Sequence, residues 1–521
     1  MWYRIFLLMI FASCKINLTF CQEQAIKEIE KQADRNWVNT NYKLASEQYE
    51  KLLTLNSKNA EYAYRFAISN FMAGFNVDKS LRYIEPLLGK ENKYTDMAYW
   101  IGRMYMINYQ FNDAIDMLRT FMATPGISSE QLNDANILIS QCQSAIQLLN
   151  KPVNVSFENL GPSVNSSSND FLPLVPEKEN FLVFTSDKRF DESSKSFDEN
   201  LYISYPDKTG WSIAKPLIYI NTVDPEKGVG MNNDGNILYV CGHFATSYSD
   251  LNVAKLKGEQ FKFDQMDNTF SLLGNKLTTG ASITDDGKTI YFSALRSDGY
   301  GKNDIYVIKL LPNGQWSQPK NLGESINTAE DELYPSISPD GKTLYFCSQG
   351  HNGMGDFDIF VSYFNEINNE WTVPQNLGYP INSPGADYNI SFTPSKRYAY
   401  LASVRKEGYG GLDIYKVTFN DVDAPITVIK GTIFTQQTND STLWKANQGM
   451  LDITIYDKNK NVFGKYLYNQ NLNRFVAALP AGEYDLEITS PGFKECQQKI
   501  TIMERSLFVP ELDKSFILVK K

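Results

Sequence analysis

The sequence predicts a multidomain protein with an α-helical solenoid followed by all-β modules, a five-bladed β-propeller and a small C-terminal β-sandwich. Three observations lead to this prediction. Apolar residues recur at helical spacing over 22–150, one motif recurs five times over 151–420, and alternating apolar residues follow over 427–521. The length of 521 residues agrees, since a domain takes roughly 150 residues.

The composition argues against several classes of function. The formal net charge is −10, and no run of Lys and Arg offsets it, so we expect no nucleic-acid partner. The sequence has two histidines, His243 and His351. We therefore expect neither a histidine-based metal site nor Ser-His-Asp catalysis. No cofactor is expected.

The first 21 residues have the character of an export signal. Arg4 precedes an apolar run over 5–12, which is too short to span a bilayer. Two ways of processing remain open: cleavage between Cys21 and Gln22, or lipid attachment at Cys14 within an imperfect lipobox. Either one predicts an exported protein.

The helical region, predicted over 22–150, contains a repeat with a period near 34 residues. Ser80 and Ala114 are corresponding positions of two such units. Ile101-Gly102, followed by Tyr105 and then Ala114, resembles the pattern of the tetratricopeptide (TPR) repeat. That resemblance implies paired helices, in which small residues allow close approach.

The central region repeats a unit of short strands and turns. Its cores are SPDGKTLYF at 338–346, TDDGKTIYF at 284–292, NNDGNILYV at 232–240, and weaker copies at 393–401 and 176–184. Equivalent positions recur at spacings of 56, 52, 54 and 55 residues. Four strands per unit, repeated five times, predict a five-bladed β-propeller. The units resemble PD40 (TolB-type, WD40-like) repeats.

Further motifs surround these cores. An Asp-Ile-Tyr segment or a relative follows three of them, and Asn-Leu-Gly comes next, as at 321–323 and 376–378. An isolated Asn159-Leu160-Gly161 precedes the first core, so we expect this segment to supply the outer strand of the last blade. The Gly-rich stretches precede strands instead of helices and are expected to be hairpin turns.

The last region, 427–521, is predicted to be a small β-sandwich. Alternating apolar residues over 451–456 and 484–488 fit half-buried strands. The Leu-Pro-x-Gly-x-Tyr turn at 479–484 resembles the carboxypeptidase-regulatory-like fold, which is prealbumin-like. This resemblance implies a module without chemistry of its own.

No catalytic residue and no metal ligand is predicted. Candidate partner contacts are the carboxylates and aromatic side chains expected at the mouth of the propeller channel. They are Asp170, Asp331, Glu332, Tyr334, Asp387 and Tyr388. Cys241 and Cys347 occupy equivalent positions of the repeat, at which the other units also have small residues. We therefore expect these two cysteines to serve in packing.

The whole arrangement resembles PorE-like exported proteins, which combine TPR, PD40 and regulatory-like modules in this order. The resemblance implies a non-enzymatic periplasmic scaffold, peripheral to the outer membrane and serving type IX secretion or gliding machinery through protein partners. An OmpA-like domain does not follow before Lys521, so direct peptidoglycan binding is not expected. The alternative is a ligand-sensing or carbohydrate- or peptide-binding propeller of an outer-membrane uptake system.

Overall fold

The structure is a computed structural model that describes most of the chain. The described residues are 24–74, 76–90, 93–191, 196–207, 210–242, 251–263, 280–393, 395–423, 426–437, 440–445, 449–502 and 511–521. Among them, no helix is long and apolar enough to cross a membrane. Cys142, Cys347 and Cys496 are free thiols, and Cys142, Cys241 and Cys347 are buried.

The N-terminal part, here called the helical module, is built of consecutive helices. They are α1 (24–38), α2 (Tyr42–Leu55), α3 (Ala60–Met72), α4 (Val77–Ile84), α5 (Met97–Ile107), α6 (Phe111–Met122) and α7 (Ser129–Leu149), with a 3₁₀ turn at Glu85–Leu87. From α2 onwards, each helix packs against the next one along the chain. This nearest-neighbour packing is typical of a solenoid.

Small residues set the distance between the helices, as the repeat predicts. Ser80 in α4 and Ala114 in α6 are both fully buried at corresponding positions. Gly102 in α5 faces α6, where an added Cβ would lie 3.0 Å from the Leu118 side chain. A larger residue at this position would require Leu118 or the Ala114 carbonyl to shift.

The central part, here called the sheet ring, consists of five antiparallel sheets. Sheet I has β2 (Asp170–Leu174), β3 (Leu182–Asp191), β4 (Ser196–Ser204) and β7 (Lys215–Pro216), with the hairpin β5 (Pro206–Asp207) and β6 (Gly210–Trp211) beside it. Sheet II has β8 (Glu226–Met231), β9 (Ile237–Gly242), β10 (Leu251–Lys257) and β11 (Gln260–Phe263). Sheet III has β12 (Gly280–Ile283), β13 (Thr289–Ala294), β14 (Asp304–Lys309) and β15 (Lys320–Asn321).

The two remaining sheets follow the same strand order. Sheet IV has β16 (Glu332–Ile337), β17 (Thr343–Ser348), β18 (Asp358–Asn365), β19 (Glu370–Trp371) and β20 (Gln375–Asn376). Sheet V has β21 (Asp387–Phe392), β22 (Tyr398–Ser403), β23 (Asp413–Phe419) and, as its outer strand, β1 (Val155–Asn159). Because Asn159 pairs with Tyr415, the segment before the first unit closes sheet V, which confirms the predicted role of that segment.

The first strands of the five sheets contact one another in cyclic order. Strand β2 contacts β8, β8 contacts β12, β12 contacts β16, β16 contacts β21, and β21 contacts β2 again. Sheet IV has five strands and the other four sheets have four each, and a closed cycle of such antiparallel sheets is the organisation of a β-propeller.

The C-terminal part consists of two sheets that share one hydrophobic core. The first contains β24 (Ile426–Gln437), β25 (Asp440–Leu443), β28 (Phe475–Pro480) and β31 (Glu511–Val519). The second contains β26 (Asp452–Asp457), β27 (Val462–Tyr466), β29 (Gly482–Thr489) and β30 (Cys496–Ile502). Ile433 and Phe516 of the first sheet and Ile455 and Leu486 of the second are buried in that core.

Candidate functional site

The helical module rests on one face of the sheet ring, where the Gly-rich loops lie. Lys43 Nζ donates to the Ser167 carbonyl at 3.1 Å, and Lys406 Nζ lies 3.3 Å from an Asp78 carboxylate oxygen. Gly74 approaches Gly411 so closely that a Cβ on Gly74 would lie 2.7 Å from the Gly411 Cα. The Gly-rich loop therefore provides the close backbone approach that brings the two modules together.

A second contact between the modules is apolar. Met354, in the Gly-rich loop of sheet IV, is fully buried in a cluster with Met106, Ala114 and Cys142 of the helices. Beside it, the Tyr109 and Tyr379 rings lie edge to face with their centroids 6.1 Å apart. The helical module thus covers the face of the ring at which the inner strands begin.

An interdomain cavity of about 680 Å³ lies between the two modules. Helices α3, α5 and α7 form one wall, and the loops at the start of the inner strands form the other. Its volume falls in the range of roughly 300–1,000 Å³ that is usual for small-ligand sites. This interdomain cavity is the candidate functional site.

Arg103 of α5 is the main cationic group on the helical wall of this cavity. Its guanidinium lies 5.6, 5.8 and 5.4 Å from the ring centroids of Phe71, Tyr99 and Trp100. The Tyr99 hydroxyl beside it donates to an Asp134 carboxylate oxygen at 2.6 Å. Within the described part of the chain, Arg103 forms no ion pair with a carboxylate.

Gln141 of α7 lines the same cavity. Its side chain is only 6% exposed, and its Oε1 has no hydrogen-bond partner among the described residues. A buried amide oxygen without a partner costs free energy, about 1–3 kcal/mol. Gln141 Oε1 itself has almost no accessible surface, so it lies behind the wall of the cavity.

The opposite wall of the cavity, on the sheet ring, is mostly acidic. Its carboxylates are Asp187, Glu330 and Asp356, and Lys302 pairs with Glu330 at 2.7 Å. Asp187 accepts hydrogen bonds from Asn169, and Asp356 accepts one from Gln349. These acidic groups all have partners within the fold, and Arg103 on the opposite wall interacts with the Tyr99 side chain.

Three of the carboxylates predicted at the channel mouth are buried in the ring. Asp170, Glu332 and Asp387 open strands β2, β16 and β21, and each has no exposed surface. Each one accepts hydrogen bonds from the residue four positions earlier, as Glu332 does from the Thr328 N–H and hydroxyl, both at 2.7 Å. These side chains therefore brace the loop that enters the inner strand.

Burial dominates the electrostatics of these three groups. It raises the pKa of Glu332 to about 7 and the pKa values of Asp170 and Asp387 to about 6. Hydrogen bonds from Ser and Thr side chains and from backbone amides oppose the effect without cancelling it.

The three other predicted contacts lie near the interdomain cavity. Asp331 is half-buried and accepts two hydrogen bonds from Asn303, at 3.0 and 2.7 Å. Tyr334 is 9% exposed and lies edge to face with Tyr388, at a centroid distance of 5.5 Å. Of the six predicted residues, Tyr388 lines the cavity. No observation tests a partner contact at any of them.

A second cavity of about 400 Å³ lies at the other ends of the inner strands. Leu174, Met231, Ile283, Ile337 and Phe392 mark those ends among its lining residues. Glu177, Asp285, Asp340 and Lys396 supply the charged groups. This opening lies on the face of the ring away from the helices.

The described residues contain no group of three His, Cys, Asp or Glu side chains arranged to hold a metal ion. His351 Nε2 lies 2.9 Å from the Ile326 carbonyl oxygen, and burial lowers the pKa of this imidazole. His243 and the predicted processing residues Cys14, Cys21 and Gln22 lie outside the described residues.

Sequence reasoning did not single out Arg103 or Gln141. Both lie in amphipathic helices, in which the apolar residues form the repeat. A polar residue of such a helix normally faces solvent, so neither one indicates a site. Their separation is 38 residues, which is not the spacing of any local motif. Only the approach of the sheet ring encloses them.

Comparisons with known proteins give structural likenesses only. No protein-family model and no curated protein matches the chain. TolB from Acinetobacter baumannii is 13% identical over 57% of this chain and 71% of its own, with a TM-score of 0.30. A TolB-type protein of Agrobacterium tumefaciens is 15% identical over 57% of this chain and 90% of its own, with a TM-score of 0.25.

Enzymes also occur among these likenesses. A B. subtilis levansucrase mutant is 10% identical over 56% of this chain and 88% of its own, with a TM-score of 0.32. TM-scores of this size carry no argument about function.

Proposed function

We propose that this chain is a non-enzymatic scaffold or adaptor of the bacterial cell envelope. In this proposal it is a periplasmic protein associated with the outer membrane, and it serves type IX secretion or gliding-type machinery. The helical module is a TPR-like solenoid, the five sheets are the blades of a propeller, and the C-terminal module is a regulatory-like, prealbumin-like sandwich. Each module offers a surface to a protein partner.

The observation that carries the proposal is the exposed apolar outer edge of sheet I. Ile213, Ile218, Tyr219 and Val223 lie within eleven residues of one another and are 77%, 66%, 51% and 80% exposed. Clustered apolar side chains on a surface are typical of protein interaction sites. By contrast, the buried carboxylates of the ring are engaged in hydrogen bonds within the fold.

Co-purification from the native host tests this proposal. The chain carries a C-terminal tag, the outer membrane is solubilised gently, and co-purifying proteins are identified by mass spectrometry. We expect stoichiometric recovery of a barrel protein or of secretion subunits. Recovery of the chain alone from the soluble periplasm would contradict the proposal.

A matched pair of variants locates the partner surface. The double variant Ile218→Asp, Val223→Asp places charges in the exposed apolar edge and is expected to lower recovery of the partner at least about tenfold. Ile367→Asp is the control, because Ile367 is 94% exposed on the distant β18–β19 turn. Equal losses in both variants would exclude the edge of sheet I as the surface.

The second candidate is a ligand-binding propeller of an outer-membrane uptake system. The 400 Å³ opening favours it, because Tyr345 and Phe392 lie there together with carboxylates and Lys396. Aromatic and polar groups that converge in a concave site are typical of small-ligand binding. A thermal shift on addition of oligosaccharides, absent in Phe392→Ala, would support this candidate.

A further inference from the structure

One end of the C-terminal sandwich combines protruding apolar side chains with exposed lysines. We call it the distal end, because it lies at the far end of β24 from Ile426, where the chain arrives from the sheet ring. Strand β24 has 12 residues, which span roughly 36 Å. The distal end therefore lies well away from the connection to the ring.

The strand register brings several chain segments together at the distal end. Leu467 directly follows Tyr466, which pairs with Ile453 of β26. Asp452 of β26 pairs with Thr489, the last residue of β29. Because neighbouring strands lie about 4.8 Å apart, Leu467 and the turn after β29 are roughly 10 Å apart.

That turn joins the end of β31. Phe493 in the turn forms a bridge with Lys520. Beside it, the Lys521 N–H donates to the Gly492 carbonyl at 3.0 Å. Since β31 runs parallel to β24 and pairs with it up to Gln436, these residues lie at the same end of β24. The loop after β27, the turn after β29 and the end of β31 therefore form one surface.

Three apolar side chains protrude from the loops of the distal end. Leu467 and Met450 are 90% and 84% exposed, and Leu472, in the same loop as Leu467, is 56% exposed. Leu467 and Met450 are thus more exposed than any residue of the sheet I edge. They gain almost nothing from packing within the fold, so only an apolar surrounding outside the chain would remove their surface from water.

Exposed lysines lie beside these apolar side chains, and within the described part of the chain they form no ion pair. They are Lys494, Lys520 and Lys521. Two carboxylates lie at the same end: Asp452 pairs with Lys465 at 3.8 Å, and Glu495 accepts a hydrogen bond from Gln497. Cations therefore outnumber carboxylates at the distal end, although the chain as a whole has a formal net charge of −10.

This combination fits the interface of an anionic lipid bilayer. Protruding apolar side chains can enter the boundary between the headgroups and the acyl chains, and lysines beside them can contact the lipid phosphates. A protein partner is instead matched by a contiguous apolar patch, such as the sheet I edge, in which the side chains pack against one another.

We propose that the distal end of the C-terminal sandwich docks on an anionic lipid bilayer. Leu467, Met450 and Leu472 insert below the headgroups, and the three exposed lysines contact the phosphates. This inference rests on the proposed function, because it names the contact by which a peripheral protein of the cell envelope meets its membrane. It concerns a different surface from the sheet I edge.

Flotation with vesicles tests the proposal. The purified chain starts at Gln22, so that no lipid attached at Cys14 contributes. One set of vesicles is pure phosphatidylcholine, and in the other about a quarter of the lipid is phosphatidylglycerol. The protein that floats with the vesicles in a density gradient is quantified. We expect at least about tenfold more protein on the anionic vesicles at low salt, and a smaller difference at high salt.

Variants connect the flotation to the distal end. Leu467→Asp removes an inserting side chain and adds a negative charge, so it is expected to lower binding to the anionic vesicles at least about tenfold. The double variant Lys520→Gln, Lys521→Gln is expected to lower it by about tenfold or more. The matched controls, Val462→Asp and Lys458→Gln, change exposed residues at the opposite end of the β26–β27 hairpin and are expected to bind as the wild type does.

Three results would overturn the proposal: no flotation with anionic vesicles, equal flotation with both kinds, or equal losses in the distal-end variants and the controls. The first would leave an acidic protein as the occupant of this surface. Thermal unfolding of each variant shows whether a loss comes from misfolding. Because the vesicles contain no protein partner, a failure here leaves the co-purification result unaffected, and a chain that floats but recovers no partner would contradict only the scaffold role.

Discussion

At the scale of single residues, one position of the repeat connects sheet I to sheet II and sheet IV to sheet V. Thr185 Oγ1 in sheet I accepts the Gly228 N–H of sheet II at 3.1 Å, and Cys347 Sγ in sheet IV accepts the Asn389 N–H of sheet V at 3.3 Å. The sequence predicts only a small residue at this position. The structure shows that its polar atom satisfies a buried N–H at an irregular point of the neighbouring inner strand.

Replacing Thr185 with Val tests this role. Val has nearly the same shape but accepts no hydrogen bond, so the buried Gly228 N–H loses its partner. We expect the free energy of unfolding to fall by about 1–3 kcal/mol, measured by chemical denaturation. Thr185→Ser keeps the acceptor and is expected to lose less. A Val variant as stable as the Ser variant would contradict the interpretation.

At the scale of elements, a repeated Asn side chain takes the place of a longer fourth strand. Strand β15 is two residues long, and Asn327 then accepts the Ile305 N–H at 2.8 Å and donates to the Ile305 carbonyl at 3.0 Å. The same pair of bonds occurs in three other sheets, from Asn165, Asn221 and Asn382. The short outer strands are sufficient because this amide mimics a backbone peptide.

Asn327→Asp tests this contact. The carboxylate keeps an acceptor but loses the donor to the Ile305 carbonyl, and it buries a charge. We expect the free energy of unfolding to fall by about 1–3 kcal/mol or more. Each kcal/mol lowers the melting temperature by roughly 2–4 °C. Asn368→Asp, at an exposed turn position, is the control and is expected to melt as the wild type does.

At the scale of the whole molecule, buried carboxyl groups make the stability of the sheet ring depend on pH. Burial raises the pKa of Asp358 to about 8, and the nearby negative charge of Asp387 raises it further, while the Met354 and Gly355 N–H groups stabilise the carboxylate. Glu332, with a pKa of about 7, behaves in the same way. Both groups hold a proton in the folded state that they lose when the chain unfolds.

The sign of the pH dependence follows from this difference. Acids with raised pKa values bind more protons in the folded state, so the free energy of unfolding falls as pH rises from about 4 to about 8. The lowered pKa of His351 opposes this trend only below its usual value of 6.5. Between pH 6.5 and 8.5 we expect the free energy of unfolding to fall by up to about 1.4 kcal/mol per pH unit for each such group, and the melting temperature to fall with it.

Asp358→Asn isolates one contribution to this trend. The amide oxygen of the new Asn side chain can accept the hydrogen bonds from the Met354 and Gly355 N–H groups. The amide does not titrate in this pH range. We expect a shallower fall of the melting temperature between pH 6.5 and 8.5, measured by calorimetry. An unchanged slope would show that Asp358 is already ionised in the folded protein at pH 6.5.

Sequence periodicity by itself determined the order of secondary structure and the closure of the sheet ring. The 34-residue helical repeat and the turns of the five cores depend on contacts within or between neighbouring units, which leave a local pattern. The isolated Asn159-Leu160-Gly161 repeats a motif of the other units, although its partner strand β23 lies far along the chain. The repeated Asn that bonds to a neighbouring strand, such as Asn327, is visible in the same repeats, although its bonding partners are not.

Only the tertiary structure decided which polar and charged groups are buried and which lie at the interdomain cavity. Asp170, Glu332 and Asp387 were predicted to face the channel mouth, yet each is buried and hydrogen-bonded within the ring. Arg103 and Gln141 carry no sequence signal, because their surroundings come from the docking of one module on another, between residues far apart in the chain. Burial and charge pairing at such a junction depend on the geometry of the modules, which local periodicity does not encode.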